Sequence, residues 1–197
     1  MADNPLLEEF TLPPFSRIKP EHVVPAVDTL LQQNRDEIYR LLQDVGKPDW
    51  KNLVEPIEKL DDRLNRAWSP VSHMNSVVNS DELREAYNAC LPKLSAYATE
   101  MGQNADLYRA YKAVQESDSS LDAAQRKMLE NILRDFHLSG VDLPPAQKQR
   151  YKEISERLST LTSKFSENLL DATHAWTPAK HEAVHGRVQN QSEEFRH

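Results

Sequence analysis

Cysteine and glycine are both scarce in this chain of 197 residues, which contains one cysteine and four glycines. The single cysteine, Cys90, excludes an internal disulfide framework, and no nucleophile motif surrounds it. We therefore expect Cys90 to be a small buried apolar side chain in a helix. The low glycine content, the many strong helix formers and the lack of strand-like alternation predict an all-α fold.

Long apolar runs and an excess of positive charge are also absent. No apolar run approaches the about 18 residues that are needed to cross a bilayer. Residues 1–10 contain neither the basic nor the apolar region of a signal peptide, so we expect a cytoplasmic protein. The formal net charge of -7 disfavours binding to nucleic acid or to an anionic membrane.

The longest helical pattern runs from about Pro144 to Trp176. Apolar residues recur in it every three or four positions, and they are Tyr151, Ile154, Leu158, Leu161, Phe165 and Leu169. This spacing puts them on one stripe of a helix about 45 Å long. We expect the other helices of the chain to cover this stripe, which makes it the element around which the chain is organised.

Proline marks the other end of the chain. Residues 1–19 contain three prolines, and we expect an extended arm that its aromatic side chains hold against the helices. Further helical patterns follow, and their expected first or capping residues are Pro20, Asp49, Asn79 or Ser80, Ala105, and Leu121 or Asp122. The Ser69-Pro70 pair predicts an interruption. We expect a bundle or stack of about six or seven helices over residues 20–176.

Three long stretches of the sequence are distinctive. They read NPLLEEFTLPPFSRIKPEHVVPAV at 4–27, WSPVSHMNSVVNSDELREAYNACLPKLSAY at 68–97 and LRDFHLSGVDLPPAQKQRYKEISERLSTLTSKFSENLLDATHAW at 133–176. Together they resemble the N-terminal part of the thimet oligopeptidase (M3) family of zinc metallopeptidases, from about Asn4 to Trp176. The resemblance implies a helical domain that forms one wall of a channel admitting short peptides and excluding folded proteins.

The resemblance also implies that the catalytic residues of the family lie in a different part of the protein from these N-terminal helices. The family's catalytic part carries an H-E-F-G-H helix and a later glutamate as zinc ligand, and these have no counterpart here. We therefore expect zinc in the full-length family, none tightly bound by this chain, and no peptidase activity from this chain alone. Its expected partners are short peptides or a separate catalytic half. The alternative is a non-enzymatic helical module that binds peptides or self-associates through exposed apolar surface.

The match to the family stops after Trp176. Residues 177–197 contain few apolar side chains, so we expect a solvated, disordered polar tail. This tail does not resemble the family's continuation, and we hypothesise that a frameshift or a premature junction produced it.

One motif in the tail has the form of a zinc site. His181 and His185 fit H-E-x-x-H, in which two histidines one turn apart bind zinc and a glutamate, here Glu182, activates water. The motif lies beyond the resemblance, and a third ligand such as Glu193 would be about 12 Å along a continuous helix. Both points count against a zinc site and favour a solvated polar tail, with Glu182 as the candidate catalytic residue and the two histidines as candidate metal ligands if a site exists. Adventitious metal binding with His174, or no site at all, are the alternatives.

The remaining histidines and the tyrosines carry weaker signals. His22, His73 and His137 are scattered singly, which favours surface or hydrogen-bonded histidines over metal ligands. Four tyrosines lie on helical faces, and core or groove-lining positions are expected for them, with peptide binding as the alternative: Tyr87, Tyr97, Tyr108 and Tyr111. The acidic pair Asp61-Asp62 is expected on a solvated face.

Overall fold

A computed structural model of the protein describes residues 4–117 and 119–175. Within these ranges the chain forms helices and turns and contains no β-strand, so the all-α prediction is confirmed. The α-helices of the described residues are α1 (Pro20–Asp44), α2 (Glu55–Val77), α3 (Asp81–Gly102), α4 (Ala105–Ser117), α5 (Ala123–Leu138) and α6 (Pro145–His174). None of these helices is both long and apolar enough to cross a membrane.

Two helix starts that the sequence left open are fixed by capping side chains. The Ser80 hydroxyl accepts a hydrogen bond from the Leu83 amide at 3.2 Å, so Ser80 caps α3. The Asp122 carboxylate accepts from the Gln125 amide at 2.8 Å, and the Gln125 side chain accepts from the Asp122 amide at 2.9 Å. Each cap satisfies backbone donors that the first turn of a helix leaves without a partner.

The second helical pattern begins and continues differently from expectation. Asp49 caps a short π-helical turn, Trp50–Val54, and α2 follows it directly. The interruption predicted at Ser69-Pro70 is wrong, because α2 runs through Pro70 without ending. Pro70 is buried beside the buried Ala67 and Val71. The apolar packing of this face holds the helix together across the hydrogen bond that proline cannot donate.

Two apolar clusters form the core. The first joins the N-terminal half of α1 to α2 and α3, and its fully buried members include Val23, Leu30 and Cys90. The second joins the C-terminal half of α1 to the π-helical turn, α4 and α5, and its fully buried members include Leu53 and Leu129. Helices α1 and α2 both contribute to the two clusters, and α1 in addition contacts α2, α3 and α4, so the described core is built around α1.

Residues 4–19 match the predicted extended arm only in part. They form turns, with backbone hydrogen bonds such as Leu7 to Asn4 at 3.0 Å. Apolar side chains other than the aromatics anchor this segment, since Leu6 and Ile18 are 3% and 5% exposed whereas Phe15 is 44% exposed. The rings of Phe10 and Phe15 do contact Arg66 and His73 of α2, and the buried aliphatic side chains add a second, apolar attachment.

The described part of α6 does not have the covered stripe that its sequence predicts. Cα proximity divides the chain into two compact units, Met1–Thr160 and Leu161–His197. In the first unit Ile154 and Leu158 are exposed, and in the second unit Leu161, Phe165 and Leu169 are exposed. Among the described residues, the prediction that other helices cover the stripe is wrong for these five side chains, whereas Tyr151 is half-buried. The two core clusters are complete with residues up to Val141, and neither contains a residue of α6.

Candidate functional site

A cleft of about 450 Å³ lies in the first unit, and its walls come from α1 to α5. We call it the central cleft. Its apolar lining residues are Ile38, Ile57, Leu64, Leu94, Met101, Leu107, Ile132 and Phe136. They converge because each is on the inward stripe of its own helix, where spacings of three or four residues align side chains.

Carboxylates interrupt these apolar walls. Glu58, Asp61 and Asp135 line the central cleft, and its described lining contains no Lys, Arg or His. Although the Asp61 side chain is solvent-exposed, the protein atoms around it raise its pKa to about 6, with a smaller contribution from the negative charge of Glu58. Burial likewise raises the pKa of Glu58. Asp135 differs from both, since the Arg134 guanidinium donates to it at 2.8 Å.

Two buried tyrosines complete the cleft wall. Tyr97 and Tyr111 are 5% and 4% exposed, in agreement with the core or groove-lining prediction. Burial raises the pKa of Tyr97 to about 12, and it also raises the pKa of Tyr111. The Tyr97 hydroxyl is fully buried, and hydrogen bonding by the Asn34 side chain opposes the rise of its pKa. The Tyr97 ring packs under the Arg35 guanidinium at 5.3 Å, and Arg35 is paired with Glu100 at 2.9 Å.

The other two tyrosines contact aromatic neighbours. The rings of Tyr87 and Trp68 stack with centroids 4.9 Å apart. The Tyr108 hydroxyl lies 3.2 Å from His137 Nε2, while His137 Nδ1 is hydrogen-bonded to the Asp142 carboxylate. This chain of three side chains ties the end of α5 to α4 and accounts for His137 as a hydrogen-bonded surface histidine.

His22 and His73 have structural contacts. The Nδ1 atom of His22 accepts a hydrogen bond from the Lys19 amide at 3.2 Å, which ties the start of α1 together. The exposed His73 has its ring 5.8 Å from that of Phe15. Among the described residues, no three His, Cys, Asp or Glu side chains are arranged to hold a metal ion. The donor sets of this part of the chain therefore do not fit zinc.

The tail motif falls outside the described residues. His181, Glu182 and His185 all lie in the range 176–197, as does the predicted boundary at 177. Their candidate roles as zinc ligands and catalytic residue stay predictions.

Cys90 is placed as its sequence context predicts. Its side chain is fully buried in the first cluster, and burial raises the pKa of the thiol to about 11. A thiol of such high pKa carries little thiolate at neutral pH, so Cys90 has the character of an apolar side chain and not of a nucleophile.

A larger cleft of about 770 Å³ lies between α1, α3 and α4, and its charges are largely paired. Arg35 is paired with Glu100, Arg109 with Asp106, and Gln32 donates to Asp36 at 2.8 Å. Mutually satisfied groups of this kind leave little capacity for a ligand, so the central cleft is the better candidate site.

The distinct position of Asp61 was not predicted from the sequence. Asp61 and Asp62 were expected together on a solvated face, yet only Asp61 lines the central cleft. The available signal was its spacing, since Ile57, Asp61 and Leu64 are at positions i, i+4 and i+7 and share a helix face. The convergence of Tyr97, Met101 and Phe136 on this face had no such local signal.

Comparison with known proteins gives a consistent family assignment. The family model described as "Neurolysin/Thimet oligopeptidase, N-terminal domain" matches residues 27–148. The chain is 51% identical over 176 residues to "Oligopeptidase A" of Escherichia coli K12, and 54% identical over 175 residues to that of Haemophilus influenzae. "Probable cytosolic oligopeptidase A" of Arabidopsis thaliana is 37% identical over 175 residues.

Each alignment covers most of this chain but only a small part of the relative. Each covers 88% of this chain but only 26%, 26% and 25% of the respective relative. The chain therefore spans about a quarter of the length of the curated relatives that it matches.

Proposed function

The chain belongs to the neurolysin and thimet oligopeptidase family, and from this premise we propose that it forms the N-terminal helical part of an enzyme that hydrolyses short peptides. The observation that carries the proposal is its identity of 51% and 54% to two bacterial proteins named Oligopeptidase A, across 88% of this chain. In the proposed enzyme the helices form one wall of a channel that excludes folded proteins from the catalytic site.

The catalytic zinc of that enzyme is proposed to lie on other polypeptide. The donor sets of the described residues do not fit zinc, so no catalytic step is assigned to them. A wall of this kind acts on the reaction by restricting which substrates reach the reacting centre and in what orientation. The rigid core around α1, with side chains such as Leu30 fully buried, suits this role because a packed interior holds its surface in one shape.

The exposed stripe of α6 supports the need for further polypeptide. Ile154 and Leu158 in the first unit, and Leu161, Phe165 and Leu169 in the second, leave large apolar side chains in water. Covering such surface is favourable by about 25 cal/mol per Å² of apolar area. We propose that a catalytic half of the enzyme, on the same or another chain, packs against α6.

The first experiment measures cleavage of a quenched fluorescent peptide by the purified chain with added zinc. We expect no turnover above the protein-free background, and no difference between the wild type and Glu182→Gln. Zinc-dependent turnover that the Glu182→Gln variant lacks would assign a catalytic site to the tail and overturn the proposal.

The second experiment supplies the missing part. The purified chain is mixed with the C-terminal three quarters of the Escherichia coli relative, expressed separately, and peptide hydrolysis is measured. We expect activity from the mixture, and a reduced activity when the chain carries Leu158→Asp in α6. Leu138→Asp is the matched control, because Leu138 is also exposed but stands alone at the end of α5.

The control for the mixture is the relative's own N-terminal quarter. If that quarter restores hydrolysis and this chain does not, the proposed role of this chain is wrong.

A second candidate function is a non-enzymatic interaction module, and the exposed α6 stripe is the observation that favours it. A self-associating module is expected to sediment as a dimer at micromolar concentration, and Leu158→Lys is expected to return it to a monomer. A monomer at all concentrations tested, with no affinity for peptides, rejects this candidate.

We propose a cytoplasmic location for the enzyme. The chain has one cysteine, which is buried and unpaired, as is usual in reducing compartments. One plant relative carries the word cytosolic in its name. Fractionation of cells that produce the protein, followed by immunoblotting, tests this location.

A further inference from the structure

A further cleft of the first unit lies between the N-terminal arm and α2. Its walls come from residues 10–15 of the arm and 65–73 of the helix, and we call it the arm cleft. Its volume of about 420 Å³ lies within the range of about 300 to 1,000 Å³ that is typical of ligand pockets. The arm cleft is therefore large enough to hold a small organic molecule.

Rings form most of the apolar wall of the arm cleft. Phe10, Pro13 and Phe15 line it from the arm, and Pro70 lines it from α2. The Phe15 and His73 rings lie 5.8 Å apart and are tilted by 53°, so they form an aromatic pair at the edge of the cleft. Such rings pack well against a flat aromatic group.

The charges of the arm cleft differ in sign from those of the other clefts. Arg66 and His73 line it, and its described lining contains no Asp or Glu. In contrast, three carboxylates line the central cleft, and Asp36, Glu100 and Asp106 line the cleft between α1, α3 and α4. Of these three clefts in a chain of net charge -7, the arm cleft is the one in which an anion meets no like charge.

Contacts with the arm hold the Arg66 side chain in place. Its Nη2 atom donates a hydrogen bond to the Phe10 carbonyl, and its guanidinium carbon lies 5.3 Å from the centroid of the Phe10 ring. Arg66 forms no ion pair with a carboxylate of the described residues, so most of its five N–H donors remain for a ligand. A guanidinium that is already positioned loses less conformational freedom when it binds a carboxylate.

His73 is placed to contact the other end of such a ligand. Arg66 and His73 are seven positions apart on α2, which puts them on one face and about 10 Å apart along the helix axis. Ser69 and Pro70 line the cleft between them. A molecule that extends from Arg66 towards the pair of Phe15 and His73 therefore needs a carboxylate at one end and a ring at the other.

We propose that the arm cleft binds a small aromatic carboxylate. Arg66 binds the carboxylate through charged hydrogen bonds, and the aromatic ring packs against Phe15 and His73. An organic cation is disfavoured by the charge of Arg66. The proposal does not depend on the peptidase role, because both walls of the cleft belong to residues 10–73 of this chain.

The histidines of the chain provide a direct readout. The full chain is labelled with ¹³C at the histidine Cε1 atoms and titrated with indole-3-acetate at constant pH, and the imidazole resonances are followed by NMR. His73→Gln identifies the His73 resonance. We expect this resonance to shift and saturate, because an aromatic ring binds beside it. The resonance of His137, at the end of α5, is expected to stay unchanged.

Three related compounds test which groups of the ligand are needed. Tryptophol replaces the carboxylate by a hydroxyl, and we expect it to bind about tenfold more weakly, as the loss of one charged hydrogen bond predicts. Tryptamine replaces the carboxylate by an ammonium and is expected to produce no shift. Acetate keeps the carboxylate without the ring, and it is expected to produce no shift at the concentrations at which indole-3-acetate saturates.

Matched variants of α2 test the location of the site. Arg66→Gln is expected to weaken binding of indole-3-acetate about tenfold. Arg63→Gln removes an exposed charge one turn earlier, outside the cleft, and is expected to change binding by less than about twofold. Ser69→Phe is expected to abolish binding, because a large side chain at this exposed lining position fills the cleft. Ser76→Phe, at an exposed position outside the cleft, is expected to leave binding unchanged.

Four results would each overturn the proposal. They are no shift of His73 with indole-3-acetate, equal affinity for tryptophol, an equal shift with acetate, and an effect of Arg63→Gln as large as that of Arg66→Gln. Circular dichroism of each variant establishes that its helices are intact. Because Arg66→Gln also removes a contact of the arm, Ser69→Phe provides the independent check: it keeps Arg66 and Phe10, and binding that survives in it places the ligand elsewhere and rejects the proposal.

Discussion

Helices α1 and α6 have similar apolar patterns and opposite surroundings. In α1 the stripe is buried, with Leu30 at 0% and Ile38 at 3% exposure. In α6 residues with the same spacing are exposed, with Leu158 at 62% in the first unit and Phe165 at 70% in the second. Apolar periodicity therefore specifies a helix and the face of it that can be buried. It does not specify which polypeptide covers that face.

The two stripes also differ in polarity. Asn34 lies within the buried face of α1 at 1% exposure, and its amide nitrogen is 3.4 Å from the Leu60 carbonyl oxygen. The α6 stripe from Ile154 to Leu169 is apolar at every position. A polar residue inside a core needs a partner there, which ties α1 to α2 more specifically than apolar contact alone.

The largest effect is expected from truncation in the α1 stripe. Leu30→Ala removes a fully buried side chain from the first cluster and is expected to lower the free energy of unfolding by about 2–5 kcal/mol. Urea denaturation followed by circular dichroism measures this loss. The matched control is Leu138→Ala, at an exposed site in α5 where the same truncation is expected to change stability by less than about 0.5 kcal/mol. Equal losses in the two variants would contradict the assignment of α1 to the core.

A smaller loss is expected from the polar member of the stripe. Asn34→Ala takes away the side chain facing the Leu60 carbonyl and leaves a small cavity, and we expect it to cost about 1–3 kcal/mol. Gln43→Ala on the exposed side of α1 serves as the control. Denaturant midpoints of the two variants that coincide would mean that the buried amide does not stabilise the fold.

The next effect is a pH-dependent gain of stability that we expect when Asp61 is replaced by asparagine. The pKa of Asp61 is raised to about 6, above its value of about 3.9 in an unfolded chain. Between these two pH values the native state binds more protons than the unfolded state. The contribution of Asp61 to stability therefore falls as the pH rises from about 4 to about 6, and it stays low above that.

Asp61→Asn removes this dependence. The variant is expected to have a higher melting temperature than the wild type at pH 7.5, and a smaller advantage at pH 4.5. Asp62→Asn, one residue away, provides the reference for loss of a surface charge. A gain for Asp61→Asn that is larger at pH 4.5 than at pH 7.5 would have the wrong sign for a carboxyl group with a raised pKa.

The smallest effect is expected in α6. Leu158→Ala and Phe165→Ala truncate exposed side chains, and each is expected to change the free energy of unfolding of the isolated chain by less than about 0.5 kcal/mol. Urea denaturation of the isolated chain measures both. A loss above about 2 kcal/mol at either position would mean that the stripe is covered in solution.

The sequence predicts a large part of the local structure. Ser80 and Asp122 were identified among the alternative caps because short polar side chains before an apolar repeat satisfy free amides of the first turn. The predicted break at Ser69-Pro70 failed, because local proline chemistry was weighed without the tertiary contacts that bury Pro70.

The candidate site was less accessible to sequence reasoning. Asp61 could have been distinguished from Asp62 by its spacing from Ile57 and Leu64. The meeting of Tyr97, from α3, with Phe136, from α5, depends on how two helices far apart in the chain pack. Side-chain spacing within one helix contains no information about that packing.

The sequence by itself determined most of the helices, a short list of candidate capping residues, the apolar face of each helix and the family to which the chain belongs. These follow from backbone hydrogen bonding and from a period of 3.6 residues, which act over a few neighbouring residues. Only the tertiary structure decided that α1 and not α6 is central, that α2 continues through Pro70, and that carboxylates and tyrosines meet in one cleft. The reason is that burial depends on contacts between segments distant in sequence, and each helix can satisfy its local rules in many different arrangements.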